Sequence, residues 1–181
     1  MNDEIGVVHG RFQLLHNDHV KYILKAYERC DHLIIGICNP DYLHTGYSVE
    51  NPHRSLQSEN PFSYYERFRM IKGTMQECGI SLDKFDVVPF PINVPELIFN
   101  YAPKEATYYL TIYDAWGYRK KELLESLGCK TRVLWEITID NKGISGRDVR
   151  QRIKNGQEWK QYVPNYVYKY VIDNRLDKLI I

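Results

Sequence analysis

The sequence predicts a single α/β domain in which helices cover both faces of a parallel β-sheet. Its 181 residues are enough for one domain with a substantial core. Short apolar segments alternate along the chain with amphipathic segments, and this order is typical of β-α-β units. The first apolar segment ends at a glycine before a helix start, which in such sheets lies at the ligand-binding edge. We therefore expect residues 1–181 to form one domain.

Buried strands are predicted where short runs of apolar, mostly β-branched or aromatic residues lie between turn signals. Such runs are continuous rather than alternating because both faces of a parallel sheet are covered. In chain order, the predicted strands are residues 5–8, 33–38, 85–90, 108–112 and 132–137.

Helices are predicted between these strands from apolar spacing and capping signals. The first helix has apolar residues at helical spacing, namely Val20, Ile23, Leu24 and Tyr27. Ser63, followed three residues later by Glu66, forms a capping-box pattern that predicts the start of a second helix. A third helix is expected over residues 118–127, ended by Gly128. Residues 39–61 form a long irregular stretch, which we expect to be a flap near the ligand site.

Composition excludes several classes of function. A formal net charge of +1 does not provide the broad basic surface that binds nucleic acid. No apolar run is long enough for a transmembrane helix, and the acidic residues 1–4 do not have the pattern of a signal peptide. The cysteines are scattered without a C-x-x-C pair, which favours free thiols in a reducing compartment. We expect a cytoplasmic protein that binds neither nucleic acid nor a membrane.

A candidate anion-binding site follows the first strand. Gly10 ends the strand, Arg11 supplies a forked cation, and His16 and His19 open the next helix. Residues three apart share one face of a helix, so the two imidazoles can reach the same ligand. The N–H groups and partial positive charge of a helix N-terminus favour a phosphate there. The histidines lack a third residue at zinc-ligand spacing, so no metal site is predicted in the protein.

A second candidate anion site lies nearer the C-terminus. Ser145 is a good N-cap residue, and Asp148 is suited to the first turn of the helix that follows. This helix would direct further N–H donors at an anion, close to Arg147 and Arg150. The alternative is that Ser145 is only a helix cap.

These segments resemble the signature motifs of the nucleotidylyltransferase superfamily. Residues 10–19 are similar to G-R-F-Q-x-x-H-x-G-H, and residues 144–153 are similar to I-S-G-x-x-[IV]-R-x-x-[IL]. Residues 60–67 resemble the N-P-F-x-x-x-E-R segment of the same superfamily. The likeness covers nearly the whole chain and is greatest to the archaeal-type nicotinamide-mononucleotide (NMN) adenylyltransferases. It implies a Rossmann-like parallel sheet with helices on both faces.

The resemblance also implies that both motifs bind a nucleoside triphosphate. His16 and His19 would donate hydrogen bonds to phosphate oxygens, with His19 at the α-phosphate in the transition state. Arg11 would hold the outer phosphates, and Arg150 would neutralise the leaving pyrophosphate. The full set implied for nucleotide binding is Gly10, Arg11, Phe12, Gln13, Ser145, Gly146, Arg147 and Arg150.

The implied reaction moves a nucleoside monophosphate from the triphosphate to a small phosphorylated acceptor and releases pyrophosphate, with Mg²⁺ screening the phosphate charge. The leading prediction is that ATP and NMN give NAD. One alternative is cytidylyl or adenylyl transfer to another phosphate or phosphonate acceptor. A non-enzymatic alternative is a nucleotide-sensing module. The sequence is also compatible with a homo-oligomer.

Two departures from the superfamily pattern affect this interpretation. Asp18 stands where the motif has glycine, and its charge would repel a triphosphate unless Lys21 or Arg147 pairs with it. On the acceptor side an asparagine is retained, but the tryptophan that stacks on nicotinamide in the family is missing. We expect the acceptor to contact Asn93, Phe99 and Trp116.

Overall fold

The computed structural model describes residues 2–40, 56–138 and 143–180. In these ranges five parallel strands form one sheet with the order β3-β2-β1-β4-β5. The strands are β1 (Asp3–Gly10), β2 (Cys30–Cys38), β3 (Phe85–Phe90), β4 (Thr107–Ile112) and β5 (Lys130–Glu136). The predicted α/β fold with a parallel sheet is therefore confirmed, and every predicted strand is present.

The described ranges also contain five α-helices. They are α1 (Asn17–Tyr27), α2 (Tyr64–Glu77), α3 (Ala115–Ser126), α4 (Gly146–Lys154) and α5 (Asn165–Asp173). The capping box predicted at Ser63 is present, since its side chain accepts from the Glu66 N–H and Glu66 accepts in return. Helix α3 begins three residues before the predicted start because Asp114 caps it, accepting a hydrogen bond from the Gly117 N–H.

Both faces of the sheet are covered, and alternate residues of β1 belong to different clusters. Val8 packs into a cluster with residues of α1, α2, α4 and α5. Val7 packs into a second cluster with Leu124 of α3 and Ile98 of the 3₁₀ helix Pro95–Asn100. Since side chains alternate along a strand, His9 is directed to the same face as Val7. The central strands β1, β2 and β4 contain runs of buried residues because both of their faces are covered, whereas β5, predicted as a buried strand, lies at the edge of the sheet and has no fully buried residue.

The strand order creates a crevice at the centre of the sheet. From β1 the chain adds β2 and β3 on one side and then returns to add β4 and β5 on the other. The connection that leaves β1 and the connection that leaves β4 therefore run toward opposite edges of the sheet, which opens a crevice between the carboxyl ends of these two strands. Open α/β sheets bind ligands in such a crevice.

Much of the predicted flap, residues 41–55, lies outside the described residues. The described end of that stretch includes a 3₁₀ turn, Gln57–Glu59, which reaches the cavity described below. No helix in the described part of the chain is both long enough and apolar enough to cross a membrane.

Candidate active site

A cavity of about 350 Å³ opens at the carboxyl ends of the central strands. Its wall comes from the β1–α1 turn, the ends of β2 and β3, and the starts of α3 and α4. With the exception of Phe99, every sequence-predicted site residue lines it: Gly10, Arg11, Phe12, Gln13, His16, His19, Asn93, Trp116, Ser145, Gly146, Arg147 and Arg150.

The two histidines of the first motif lie face to face at the start of α1. His16 is the N-cap residue and His19 lies in the first turn, with ring centroids 3.7 Å apart and an angle of 28° between the planes. The rings of Phe12 and His19 form a T-shaped pair with centroids 5.0 Å apart. His16 is 4% exposed, so its orientation is fixed by packing. As predicted from their spacing, the two histidines lie side by side at the start of the helix, and both line the cavity.

The loop between β1 and α1 is anchored by its own side chains. The Phe12 backbone has a φ of 52° and its ring is buried. The Gln13 amide donates to the Phe62 carbonyl at 2.8 Å and accepts from the Phe62 N–H at 2.9 Å. Both side chains therefore hold the loop in shape, and the loop backbone forms that part of the cavity wall.

Arg67, the last residue of the motif over residues 60–67, is a positioning residue, although the motif did not indicate what it contacts. It is 2% exposed, and its guanidinium donates to the carbonyls of Arg11 at 2.9 Å, Cys38 at 2.8 Å and Asn39 at 2.7 Å. Burial lowers the pKa of Arg67 to about 10, so the group stays charged at neutral pH. One forked cation thereby joins the β1–α1 turn to the end of β2. Its position in the motif over residues 60–67 was the available sequence signal.

The second motif meets the first at the N-terminus of α4. Ser145 caps the helix and forms a capping box with Asp148, whose carboxylate accepts from the Ser145 N–H at 2.9 Å. A Cβ atom on Gly146 would lie 2.7 Å from the Gln13 carbonyl oxygen. Only glycine allows this close approach of the helix to the loop. The start of α4 therefore borders the same cavity as the two histidines.

A carboxylate that was not predicted engages two arginines of the second motif, Arg147 and Arg150. Glu59 Oε1 lies 3.3 Å from Nε of Arg147, and its other oxygen accepts a hydrogen bond from the buried Arg150. Arg150 also donates to the Gln13 carbonyl, and burial lowers its pKa. No motif marked Glu59 itself, but it lies within the irregular stretch 39–61 that was predicted to be a flap near the ligand site.

Asp18, the departure from the glycine of the first motif, has a partner. Its carboxylate accepts from the Lys21 ammonium at 2.9 Å, whereas the other candidate partner, Arg147, contacts Glu59. A side chain at Gly143 would overlap the Asp18 carboxylate, so the chain before α4 passes directly over it. The negative charge at the edge of the cavity is therefore balanced locally.

The predicted acceptor residues are divided between the cavity and the surface. Asn93 lines the cavity and donates to Asn39 Oδ1 at 3.1 Å, and Trp116 lines it from the first turn of α3. Phe99 does not line the cavity. The 3₁₀ helix that carries it buries Ile98 in the core and leaves the Phe99 ring outside, with the Lys104 ammonium 5.8 Å from its centroid.

On this side of the cavity the wall also contains His9 and Lys120, which no motif identified. The His9 ring stacks on Phe90 with centroids 4.5 Å apart. Burial, followed by the nearby charge of Lys120, lowers the pKa of His9 well below 6.5. His9 is therefore neutral at physiological pH.

The carboxylates of the cavity wall do not make up a metal site. Asp18 pairs with Lys21, Glu59 pairs with arginines, and Asp114 caps α3. Among the residues that the structure describes, no group of three His, Cys, Asp or Glu side chains is arranged to hold a metal ion. A divalent cation in this cavity would need ligands supplied by the substrate.

Sequence comparisons agree with the motifs. The family model described as cytidylyltransferase-like matches residues 7–152. A phosphonoformate cytidylyltransferase of Streptomyces viridochromogenes is 42% identical over 175 residues, covering 97% of this chain and 94% of that protein. A nicotinamide-nucleotide adenylyltransferase of Saccharolobus solfataricus is 24% identical, covering 96% of this chain and 92% of the relative. One from Pyrococcus furiosus is 26% identical, with coverages of 94% and 84%.

Solved structures support the fold. A bifunctional NMN adenylyltransferase/ADP ribose pyrophosphatase of Francisella tularensis superposes with a TM-score of 0.64 at 19% identity, over 98% of this chain. The chain spans about half of that protein, 52% of its length. A nicotinic acid mononucleotide adenylyltransferase of Plasmodium falciparum superposes with a TM-score of 0.56 at 12% identity, over 98% of both chains.

Proposed function

Because the chain belongs to the cytidylyltransferase-like family, we propose that it transfers a cytidylyl group from CTP to a small phosphonate and releases pyrophosphate. The observation that carries this proposal is the 42% identity, over 97% of the chain, with a phosphonoformate cytidylyltransferase. The adenylyltransferase relatives described above are 24% and 26% identical. The relatives thus favour the phosphonate alternative over the leading prediction of NAD formation.

The acceptor side of the cavity is consistent with this choice. The family's stacking tryptophan is missing from this sequence, and Phe99, the expected substitute, lies outside the cavity. The wall there contains an imidazole and an ammonium group, from His9 and Lys120, as well as the aromatic ring of Trp116. The imidazole and the ammonium group suit a small polar anion.

The proposed reaction needs no nucleophile from the protein. An oxygen of the acceptor phosphonate attacks the α-phosphorus of CTP, and the bond from that phosphorus to the pyrophosphate oxygen breaks. Cys38 lines the cavity, but burial raises the pKa of its thiol to about 11, so it stays protonated. The protein contributes by aligning the two anions and by stabilising charge on the phosphoryl oxygens.

The two motifs divide this work between them. His16 and His19 donate hydrogen bonds to the α-phosphate, and the N–H groups at the start of α4 receive the β- and γ-phosphates. Arg11, Arg147 and Arg150 balance the charge of the departing pyrophosphate. Mg²⁺ enters with the triphosphate as part of the substrate, bound through phosphate oxygens.

A matrix of pyrophosphate-release assays tests the proposal. CTP and ATP are each combined with phosphonoformate and with NMN in the presence of Mg²⁺, and products are identified by mass spectrometry. We expect CTP with phosphonoformate to give the highest kcat/KM and a CMP–phosphonate product. A preference for ATP with NMN would restore the NAD assignment. CTP binding without pyrophosphate release from any pair would favour a nucleotide sensor.

A further inference from the structure

His9 is held rigidly at the bottom of the cavity with its polar atoms unsatisfied. It is 5% exposed, and its ring is nearly parallel to that of Phe90, with an angle of 12°. Neither ring nitrogen has a hydrogen-bond partner among residues 2–40, 56–138 and 143–180. Leaving a buried polar group unsatisfied is energetically costly. A bound ligand that hydrogen-bonds the ring would remove this cost.

The chemistry of the ring and its surroundings indicates which ligand fits. A neutral imidazole has one N–H donor and one acceptor nitrogen. Lys120 reaches the same cavity from α3. Its charge adds to the lowering of the His9 pKa and offsets part of the rise that burial causes in the Cys38 pKa, so the ammonium group lies near both side chains. A fixed donor beside an ammonium group in a largely buried wall favours an anion. The predicted triphosphate contacts are made by other residues, at the starts of α1 and α4.

From these observations, and resting on the proposed function, we propose that His9 and Lys120 bind a second anionic group of the acceptor. Such a group is a carboxylate attached at or next to the phosphonate phosphorus. Lys120 supplies the counter-charge and His9 donates a hydrogen bond from its ring. The enzyme thereby selects compact phosphonates that carry a carboxylate over phosphonates that carry an alkyl group.

A substrate pair that differs mainly in the carboxylate isolates this subsite. The kcat/KM for phosphonoformate and for methylphosphonate is measured with CTP for the wild type, Lys120→Met and His9→Leu, because leucine has neither a donor nor an acceptor in its side chain. The wild type should prefer phosphonoformate. Each substitution should lower kcat/KM for phosphonoformate by roughly 10- to 100-fold, the effect of losing a hydrogen bond to a charged group. Methylphosphonate turnover and the KM for CTP should change little.

Lys104→Met is the matched control, because Lys104 is exposed and lies outside the cavity wall. It should keep the wild-type preference. Lys120 is on the partly exposed surface of a helix, so Lys120→Met keeps the test valid even if the substitution at buried His9 impairs folding. An equal decrease in kcat/KM for phosphonoformate and methylphosphonate would overturn the subsite, and so would a Lys120→Met variant that still prefers phosphonoformate. Neither result would contradict cytidylyl transfer. A wild type that uses neither acceptor would overturn the proposed function and the subsite together.

Discussion

The Glu59 carboxylate accepts a hydrogen bond from the Arg150 guanidinium inside the cavity. Both side chains are largely buried, with 13% of Glu59 and 6% of Arg150 exposed, and Arg147 approaches the other carboxylate oxygen at 3.3 Å. These arginines are the ones expected to bind the pyrophosphate portion of the triphosphate. On the proposed function, the glutamate therefore occupies the partner position of a phosphate group, and binding of a triphosphate would displace Glu59 or share the arginines with it.

Replacing this carboxylate should strengthen nucleotide binding. In Glu59→Gln the amide can still accept a hydrogen bond, but the competing negative charge is gone. We expect the Kd for CTP to fall by about 2- to 10-fold, with a larger effect at low ionic strength where screening is weak. Isothermal titration calorimetry at two salt concentrations measures this. The thermal midpoint of the free protein should also fall, because Arg150 is left buried without its counter-charge.

Glu158→Gln is a suitable control for Glu59→Gln, since Glu158 is exposed and does not line the cavity. It should change neither the Kd nor the thermal midpoint. Weaker CTP binding in Glu59→Gln would show that Glu59 orients Arg150 for phosphate and does not compete with it.

His19→Ala should mainly affect the chemical step. The hydrogen bond from His19 strengthens as charge develops on the α-phosphoryl oxygens, so its loss should lower kcat by roughly 10²–10³. CTP affinity, measured separately by calorimetry, should change much less. His32→Ala provides the comparison, because His32 pairs with Asp86 and does not line the cavity. An unchanged kcat in His19→Ala would limit that residue to a structural role.

Arg67 should be irreplaceable by lysine. Its planar guanidinium donates to four carbonyls, including those of the β1–α1 turn and the end of β2, and the single ammonium group of a lysine cannot reach all of them. We expect Arg67→Lys to cost about 2–3 kcal/mol of stability, which corresponds to roughly 4–12 °C in the thermal midpoint. Calorimetric melting curves would show it. The same change at the neighbouring exposed Arg69 should have little effect, and a melting curve unchanged in Arg67→Lys would contradict the anchoring role.

The fold was predictable because its signals are local and repeated. Each strand contains a short run of apolar residues, and Ser63 and Ser145 mark helix starts with complete capping boxes. The grouping of the motif residues around one cavity was predictable for a similar reason, since they lie in contiguous motifs. Arg67 and Glu59 act through a tertiary arrangement in which their partners are carbonyls and arginines from distant segments. No spacing along the chain encodes that arrangement.

Phe99 was predicted to contact the acceptor because it lies near Asn93 in the sequence, but the structure places it outside the cavity wall. It lies close in the chain to Asn93, which lines the cavity, but a short 3₁₀ helix intervenes. In that helix Ile98 takes the buried position, and the next side chain is directed outward. The aromatic residue of the predicted acceptor set that lines the cavity is Trp116.

Trp116 and Phe99 should therefore differ when each is replaced by alanine. Trp116→Ala removes part of the cavity wall, and we expect the acceptor KM to rise several-fold, in line with the roughly 0.5–1.5 kcal/mol that aromatic contacts contribute. Phe99→Ala should leave both KM values close to wild type. Steady-state kinetics with each substrate varied in turn would measure this. An acceptor KM that rises only in Phe99→Ala would show that Phe99 reaches the acceptor during the reaction.

The buried imidazole of His9 should make the protein less stable in mild acid. In the unfolded chain His9 binds a proton near its ordinary pKa of 6.5, whereas the folded protein resists protonation because the ring is buried and close to Lys120. The free energy of unfolding should therefore be highest above pH 6.5. It should decrease below that pH by up to about 1.4 kcal/mol per pH unit, until the folded state also takes up the proton. In His9→Gln this contribution is absent, so the difference in unfolding free energy between wild type and variant should shrink or reverse from pH 7.5 to pH 5. Urea denaturation at half-unit pH steps measures both curves, and parallel curves would mean that His9 titrates normally in the folded protein.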